Sequence, residues 1–307
     1  MRFHVLKFQF YAMTATIVVF GGLLNTIEKR LPTFISQSYR FGKFSYEGKK
    51  SKLKTIEVPK RWFSHFYVFA AAYSTLCLLT AIKVYFFDGK APSQAIQLLN
   101  ILATTQRSFT VSSIATLIAL VLMTAQCVRR FYETWFVSVF SDAKMNLSHY
   151  IVGFSHYFGA ISAILVEAPG FTPHTGVSSL VLRLNFSELH LYHLIAVIIF
   201  MWAFIHQFRA ASILADLRRD KSGQVVSQKY RLPEGDLFQF VSSPHMLCEV
   251  IIYLCLMVIL WGSTVFPVVT LWVVSNQVEN AFLTHWWYQE KFKEYPKMRK
   301  AIIPFIL

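Results

Sequence analysis

The stretch FYAMTATIVVFGGLLNTIEKR, residues 10–30, decides the class of fold. Its apolar part, residues 10–27, approaches the roughly 20 residues that a helix needs to cross the hydrocarbon of a bilayer. The run is followed by Glu28, Lys29 and Arg30 and not by a small-residue cleavage site. It therefore predicts a membrane anchor that stays in the protein, and not a removable signal peptide.

Similar apolar runs recur along the 307-residue chain, of which 55% is hydrophobic and only 15% charged. Soluble domains carry about 25% charged residues, so the apolar excess indicates a surface that faces lipid. We predict an all-α integral membrane protein with one membrane-embedded domain over residues 1–307. Seven transmembrane helices are predicted, at about residues 10–27, 63–87, 109–127, 147–167, 189–205, 249–262 and 265–284.

Lysine and arginine are distributed unequally between the two sides that these spans define. The segments 28–61, 128–146, 206–248 and the tail after His285 hold 24 of the 30 basic residues, whereas the opposite side holds five. Because basic residues concentrate on the cytosolic side of a membrane, we predict a lumenal N-terminus and a cytosolic C-terminus.

The net charge of +14 does not predict a nucleic-acid partner, because the basic residues form neither a single arm nor a single helix face. We predict no metal site. The four cysteines lack metal-ligand spacing and indicate buried free thiols, and the histidines are spread over both sides of the membrane. The chain also lacks a glycine-rich phosphate loop, so arginines, aromatics and helix ends would have to hold any nucleotide.

Two charged pairs lie where helices meet the predicted cytosolic surface. Arg130 and Glu133 are three residues apart and share a helix face, as either a structural ion pair or part of a polar site. His245 and Glu249, four residues apart, begin the sixth span, where they either cap the helix or contribute to a site. Ionisable groups at membrane depth are candidates for function.

The tail HWWYQEKFKEYPKMRKAIIPFIL, residues 285–307, resembles the C-terminal signature of the steroid 5α-reductase family, and YRLPEGDLFQFVSSPHMLCE, residues 230–249, resembles its second block. VPKRWFSHFYVF (58–69) and RRFYETWFVSVFS (129–141) are similar to the branch that reduces polyprenals in dolichol synthesis. The resemblance implies a seven-helix enzyme of the endoplasmic reticulum membrane that uses NADPH to reduce an enone-type double bond, with its active site facing the cytosol.

Residues at positions of the family motifs become candidates for binding the cofactor, including His245, which stands where the second block of the family has an Asn. They are Arg130, Arg218, Tyr230, Arg231, His245, Glu249, Tyr288 and Arg299. Arginine suits the 2′-phosphate and the pyrophosphate of NADPH because its guanidinium binds them through two parallel hydrogen bonds.

The chain departs from the steroid-reducing members at the residues that polarise the steroid ketone. By ungapped counting, the Gln-Glu pair and the Tyr of those members correspond to His65-Phe66 and Cys127 here. The resemblance therefore favours a long-chain polyprenal, drawn from the bilayer, as substrate. His65 becomes the candidate hydrogen-bond donor to the substrate carbonyl, with Glu133 in reserve, and the protein is expected to be monomeric.

Three other functions stay open at this point. One is a steroid or other lipid enone reductase of the same family. Another is a membrane isoprenoid-cysteine methyltransferase, since SSPHMLCE (242–249) faintly resembles a block of those enzymes but lacks its Arg and Gly-Glu ending. A non-catalytic membrane scaffold is the third, and it would leave the intramembrane charges without a purpose.

Overall fold

The computed structural model is mostly helical. It describes residues 3–33, 35–36, 56–88, 90–173, 184–220, 222–226 and 230–307. Over these residues the α-helices are α1 Val5–Ile27, α2 Phe63–Lys83, α3 Ser93–Leu102, α4 Ser113–Tyr132, α5 Leu147–Leu165, α6 Leu191–Asp216, α7 Pro244–Ile259 and α8 Phe266–Lys291. Two helices continue into a π-helical turn, α2 over Val84–Asp88 and α4 over Glu133–Val137.

Each of the seven predicted segments overlaps one of these helices. Among the described residues, four helical segments are long and apolar enough to cross a membrane, and α7 is a shorter apolar helix. The four segments are Val5–Ile27, Lys60–Phe87, Ser113–Val137 and Leu191–Asp216. The chain is therefore a helical membrane protein, while the number of seven spans and the orientation of the termini stay predictions.

The two largest differences between the predicted boundaries and the structure concern α6 and α3. The fifth span was predicted to end at residue 205, but α6 continues to Asp216, because His206 and Gln207 find polar partners instead of ending the helix. The predicted loop 88–108 contains α3, which buries Leu99 and Leu102. Parts of the predicted loops 28–61 and 168–188, namely 37–55 and 174–183, lie outside the described residues.

Helix pairs pack around one apolar core, mainly α6 with α7, α2 with α4 and α1 with α8. Phe10, Ile161, Phe200 and Phe266 are completely buried in it. Gly153 lets α5 approach α2 closely, because a Cβ atom there would lie 2.5 Å from the Phe66 ring.

A short antiparallel sheet joins the starts of α2 and α5. Strand β1, Glu57–Pro59, pairs with β2, Lys144–Asn146, in a register that places Val58 opposite Met145. Flanking backbone hydrogen bonds extend the pairing, from Lys60 N to Ala143 O and from Leu147 N to Ile56 O, both 2.9 Å. The sheet therefore fixes these two helix ends beside each other, and residues from both ends line the cavity described below.

Candidate functional site

A cavity of about 630 Å³ lies between α1, α2, α5, α7 and α8. Its outer wall is apolar, with Met13 and Ile17 from α1 and Phe63 and Phe66 from α2. α8 contributes a mixed row of residues from Trp272 to Leu283, in which Asn276, Gln277, Glu279 and Asn280 are polar. The apolar part of the lining lies mainly on α1 and α2. Elongated apolar ligands fit such a wall, because burial of hydrocarbon contributes about 25 cal/mol per Å².

The inner wall of the cavity is polar and rests on a buried network that we call the cavity cluster. Four of its members line the cavity and three lie behind them. Its residues are Tyr67, Gln126, Arg129, Arg130, Glu133, Gln207 and Glu249.

Glu133 is the anionic centre of one half of the cavity cluster. It is 2% exposed, and its two carboxylate oxygens accept hydrogen bonds from different arginines. Arg129 Nη1 donates to Oε2 at 2.7 Å, and Arg130 Nη1 donates to Oε1. Arg130 Nη2 donates in turn to the Tyr67 hydroxyl oxygen at 2.7 Å. Glu133 thus holds two cations, the buried Arg129 and the partly buried Arg130, and Arg130 reaches the cavity.

Two glutamines connect this half of the cluster to Glu249. Gln126 Nε2 lies 2.8 Å from Gln207 Oε1 and 3.1 Å from Glu249 Oε2, while Gln207 Nε2 donates to the same carboxylate and to the His245 carbonyl. Arg129 donates to both glutamine side-chain oxygens. Residues of α4, α6 and α7 therefore form one hydrogen-bonded unit, which compensates the cost of burying their polar groups.

His156 forms a second polar contact in the cavity wall. Trp272 Nε1 lies 3.2 Å from His156 Nδ1, and the Tyr253 hydroxyl lies 2.8 Å from Nε2. An indole N–H can only donate, so Nδ1 is the acceptor in the neutral imidazole and Nε2–H donates to Tyr253. These bonds orient the ring from α5 toward α7 and α8.

The C-terminal segment folds back onto the ends of α7 and α8 through a group that we call the tail cluster: Ser242, His285, Tyr288, Tyr295 and Arg299. Ser242 N donates to the Lys300 carbonyl at 2.8 Å. The Ser242 hydroxyl lies 2.7 Å from His285 Nδ1, and the Tyr295 hydroxyl lies 3.0 Å from the same nitrogen. Burial raises the pKa of the Tyr295 hydroxyl, which keeps it neutral.

Arg299 is buried in the tail cluster without a carboxylate partner among the described residues. It is 4% exposed, Nη1 donates to the Pro233 carbonyl at 3.2 Å, and the guanidinium lies over the Tyr295 ring. In the described part of the chain, its Nε, the Ser243 hydroxyl and the Thr284 hydroxyl are buried with no hydrogen-bond partner. Unpaired buried donors of this kind fit a bound anion, because a phosphate would supply the missing acceptors.

Arg218 adjoins the tail cluster through aromatic contacts. Its guanidinium lies 5.2 Å from the centre of the Tyr230 ring, and Tyr230 packs against Trp287 with ring centres 5.0 Å apart. Arg218 Nη1 donates to the Val139 carbonyl at 2.5 Å. A second guanidinium is therefore fixed near the tail cluster, and some of its donors bind no residue that the structure describes.

The predicted site residues fall into separate groups. Arg130, His245 and Glu249 line the cavity, and Glu133 lies directly behind it. Four more lie in the tail cluster or beside it, namely Arg218, Tyr230, Tyr288 and Arg299. The two remaining residues belong to neither group.

The structure does not bring His65 or Arg231 to either group. His65 is exposed, its Nδ1 lies 3.2 Å from the Tyr150 hydroxyl, and it does not line the cavity. Residues two apart on a helix point about 200° apart, so Tyr67 faces the cavity and His65 faces away. Arg231 is exposed.

Sequence reasoning missed Tyr67, Gln126 and Gln207. A signal for the glutamines was available, because each stands in an apolar helix, in TAQCVRR (124–130) and FIHQFR (204–209). A primary amide at such a position needs buried partners. Nothing in the sequence distinguishes Tyr67 from the aromatic residues around it.

Comparisons with known proteins agree on one family. Residues 180–307 match the family model described as 3-oxo-5-alpha-steroid 4-dehydrogenase. The whole chain is 41% identical to a Drosophila melanogaster protein named polyprenal reductase, of which it covers 94%. Proteins of the same name from Danio rerio and Homo sapiens are each 32% identical. The matches cover 99% of this chain and 100% of the fish protein, and 82% of this chain and 79% of the human protein.

Proposed function

Because the chain belongs to the polyprenal reductase branch of the steroid 5α-reductase family, we propose that it reduces the α,β double bond of a long-chain polyprenal. The product is the saturated aldehyde dolichal, an intermediate on the way to dolichol for protein N-glycosylation. NADPH is the proposed reductant. The following features of the structure support this assignment.

The cavity carries the proposal, because its two walls match the two parts of a polyprenal. The apolar outer wall suits isoprene units, and the polar inner wall, with Tyr67 and Arg130, suits the single aldehyde. A long polyprenyl chain exceeds the cavity volume. We therefore propose that the aldehyde end occupies the cavity while the rest of the chain stays in the bilayer.

Reaction chemistry favours the aldehyde over the corresponding alcohol. Hydride addition to the β-carbon leaves negative charge next to it. In an allylic alcohol that charge has no oxygen to move to, whereas in the unsaturated aldehyde it spreads onto the carbonyl oxygen as an enolate. A positioned donor can stabilise that oxygen, and protonation of the α-carbon completes the saturated aldehyde.

The dinucleotide is proposed to bind between the tail cluster and the cavity. Arg218 and Arg299 would hold its phosphate groups, because carbonyl and aromatic contacts fix both guanidinium groups and, among the described residues, some of their donors have no partner. Tyr230 and Tyr288 would support them. When bound, NADPH supplies the hydride. The contribution of Arg231 to the same site stays a prediction.

The enzyme is proposed to act as a monomer in the endoplasmic reticulum membrane, with its active site facing the cytosol. The unequal distribution of basic residues supports this orientation. A protease added to intact microsomes should cleave tags inserted in the 28–61 loop or after Leu307. Protection of both tags would contradict the orientation.

The function can be tested with purified protein in detergent or nanodiscs. With NADPH, polyprenal should be converted to dolichal, and polyprenol should remain unchanged unless a separate dehydrogenase is added. A steroid enone and S-adenosylmethionine with a prenylated cysteine serve as comparison substrates for the alternative functions. Direct reduction of polyprenol, or preferred reduction of the steroid, would contradict the proposal.

A further inference from the structure

Tyr67 places a phenolic hydroxyl at the polar wall of the cavity. Its side chain lines the cavity although the residue is only 9% exposed. Its ring packs against Phe66, with ring centres 4.7 Å apart, and against Tyr157, with ring centres 5.4 Å apart. Packing of this kind holds a functional group in one orientation before a ligand arrives.

The hydrogen bond between Arg130 and Tyr67 has only one possible direction. Arg130 Nη2 lies 2.7 Å from the Tyr67 hydroxyl oxygen, and a guanidinium has no acceptor. The tyrosine oxygen therefore accepts, and its own hydrogen is not used in this contact. Within the described residues the hydroxyl makes no other hydrogen bond, so its hydrogen remains for a ligand in the cavity.

Arg130 is itself held in place. One arm of its fork binds Glu133, the other binds Tyr67, and its guanidinium carbon lies 4.8 Å from the centre of the Tyr67 ring. A cation bonded to the hydroxyl oxygen polarises the O–H bond and strengthens its donation to an acceptor. The hydrogen-bonded series Glu133–Arg130–Tyr67 thus ends in a hydroxyl that can donate to a ligand without a change of its position.

We infer that the Tyr67 hydroxyl donates the hydrogen bond to the aldehyde oxygen of the substrate and that Arg130 is its positioning residue. The inference rests on the proposed function and names the donor that it requires. After a hydride from the reduced nicotinamide has been added to the β-carbon, the electron pair of the C=C bond moves toward the carbonyl. The oxygen becomes an enolate oxygen facing Tyr67. Water would then protonate the α-carbon and become hydroxide, which restores the aldehyde. The net change would be one hydride, supplied by NADPH when bound, and one proton added across the C=C bond.

The position of His65 supports this choice by contrast. The same helix carries both residues, but His65 is exposed beside Tyr150 and does not reach the cavity wall. An imidazole outside the cavity cannot hydrogen-bond an oxygen inside it. The donor is therefore Tyr67, two residues further along α2.

The test compares Tyr67→Phe with Tyr73→Phe. Both variants lose one hydroxyl from α2, but Tyr73 does not line the cavity and its hydroxyl bonds Ser162 at 2.8 Å. Tyr67→Phe should lower kcat about 10²–10³-fold, the usual effect of losing one donor to a developing oxyanion. NADPH affinity should stay within about twofold. Tyr73→Phe should keep near wild-type turnover.

A second measurement needs no turnover. Polyprenal labelled with ¹³C at the aldehyde is bound without NADPH, and its carbonyl stretch is followed by infrared difference spectroscopy. We expect a hydrogen-bonded, lowered frequency in wild type and in Tyr73→Phe. Tyr67→Phe should return it toward the value in bilayer, and Arg130→Lys should give an intermediate value.

The outcomes separate the inference from the function on which it rests. If wild-type protein neither binds nor reduces polyprenal, both are overturned. If wild type is active and Tyr67→Phe keeps its turnover and carbonyl frequency, only the assignment of Tyr67 is overturned. Loss of the shift in His65→Ala together with its retention in Tyr67→Phe would transfer the donor to His65.

Discussion

Two buried polar clusters lie in the same apolar bundle. In one, the polar groups bond one another, and in the other, some of them face the cavity. Around Glu167, which is 7% exposed, Ser263 Oγ and Thr264 N donate to one carboxylate oxygen at 2.7 and 2.8 Å. Thr264 Oγ1 donates to the other oxygen and accepts from Lys7 Nζ at 2.7 Å. This Glu167 cluster joins α1 to the connection between α7 and α8, and none of its residues lines the cavity.

The cavity cluster contains similar groups but ends in Tyr67, Arg130 and Glu249 at the cavity wall. Burial of a charge in a membrane protein is therefore not in itself a sign of catalysis. What distinguishes the two clusters is the donor hydrogens that remain available to a ligand. The following predictions test this difference, from the largest expected effect to the smallest.

Removing Glu133 should have the largest effect on stability. Glu133→Ala leaves the buried guanidinium of Arg129 and the partly buried one of Arg130 without their counter-ion. Breaking a buried pair costs about 3–5 kcal/mol. Thermal unfolding in detergent should show a strongly lowered midpoint, and Tyr67 should lose its orientation with Arg130. Glu133→Gln, which keeps the shape, should be affected less. An unchanged midpoint in Glu133→Ala would show that the network is not needed for the fold.

Replacing Arg299 should weaken the binding of NADPH and leave the stability of the fold unchanged. Loss of a charge-assisted hydrogen bond costs about 1.5–3 kcal/mol, or roughly ten- to a hundredfold in Kd. Arg299→Ala should therefore raise the Kd for NADPH. If the arginine binds the 2′-phosphate, the Kd for NADPH should rise more than the Kd for NADH, which lacks that phosphate. Arg209→Ala is the matched control, because Arg209 is an exposed arginine of α6 that belongs to neither the cavity cluster nor the tail cluster. Equal NADPH affinity in the two variants would place the phosphates elsewhere.

The Glu167 cluster should respond in stability alone. Glu167→Gln loses the negative charge that accepts from Ser263, Thr264 N and Thr264 Oγ1, which should cost about 1–3 kcal/mol. The unfolding midpoint should fall, while kcat per folded molecule and NADPH affinity stay at the wild-type level. A loss of kcat comparable to that of Tyr67→Phe would contradict the distinction between the two clusters.

The smallest effect is expected for Tyr230. Tyr230→Leu removes the ring beneath Arg218, and a cation–π contact at a partly exposed site contributes about 0.5–1 kcal/mol. NADPH should bind about two- to fivefold more weakly, as measured by fluorescence titration. Tyr230→Phe keeps the aromatic face and should bind as wild type does. If both variants weaken binding equally, the hydroxyl matters rather than the ring.

Most of the fold could be predicted, because apolar runs long enough to span a bilayer are visible without tertiary information. α6 was cut short because His206 and Gln207 are polar, and only the folded partners Asp236 and Glu249 explain why they remain in a helix. α3 was missed because a ten-residue helix between two spans resembles a polar loop.

The site was harder to predict, because side-chain direction depends on helix rotation. Arg130 and Glu249 were found through motif resemblance, and both line the cavity. On α2, ungapped counting led to His65, which does not line the cavity. A shift of two residues along a helix exchanges one face for the opposite one, and that shift leads to Tyr67. Tyr67 could be recognised only once the cavity and the Arg130 contact were known.

α8 is a single helix of 26 residues, about 39 Å long at 1.5 Å per residue. Its middle turns form one wall of the cavity through Val273, Gln277 and Asn280, and its last turns carry His285 and Tyr288 of the tail cluster. We expect a dinucleotide that binds the tail cluster to shift α8, and α8 also forms part of the cavity wall. Thermodynamic reciprocity then requires each ligand to change the affinity of the other by the same factor. Titrations with NADP⁺ and a saturated aldehyde, each alone and in the presence of the other, would measure that factor. A value of one would show that α8 does not couple the two binding sites.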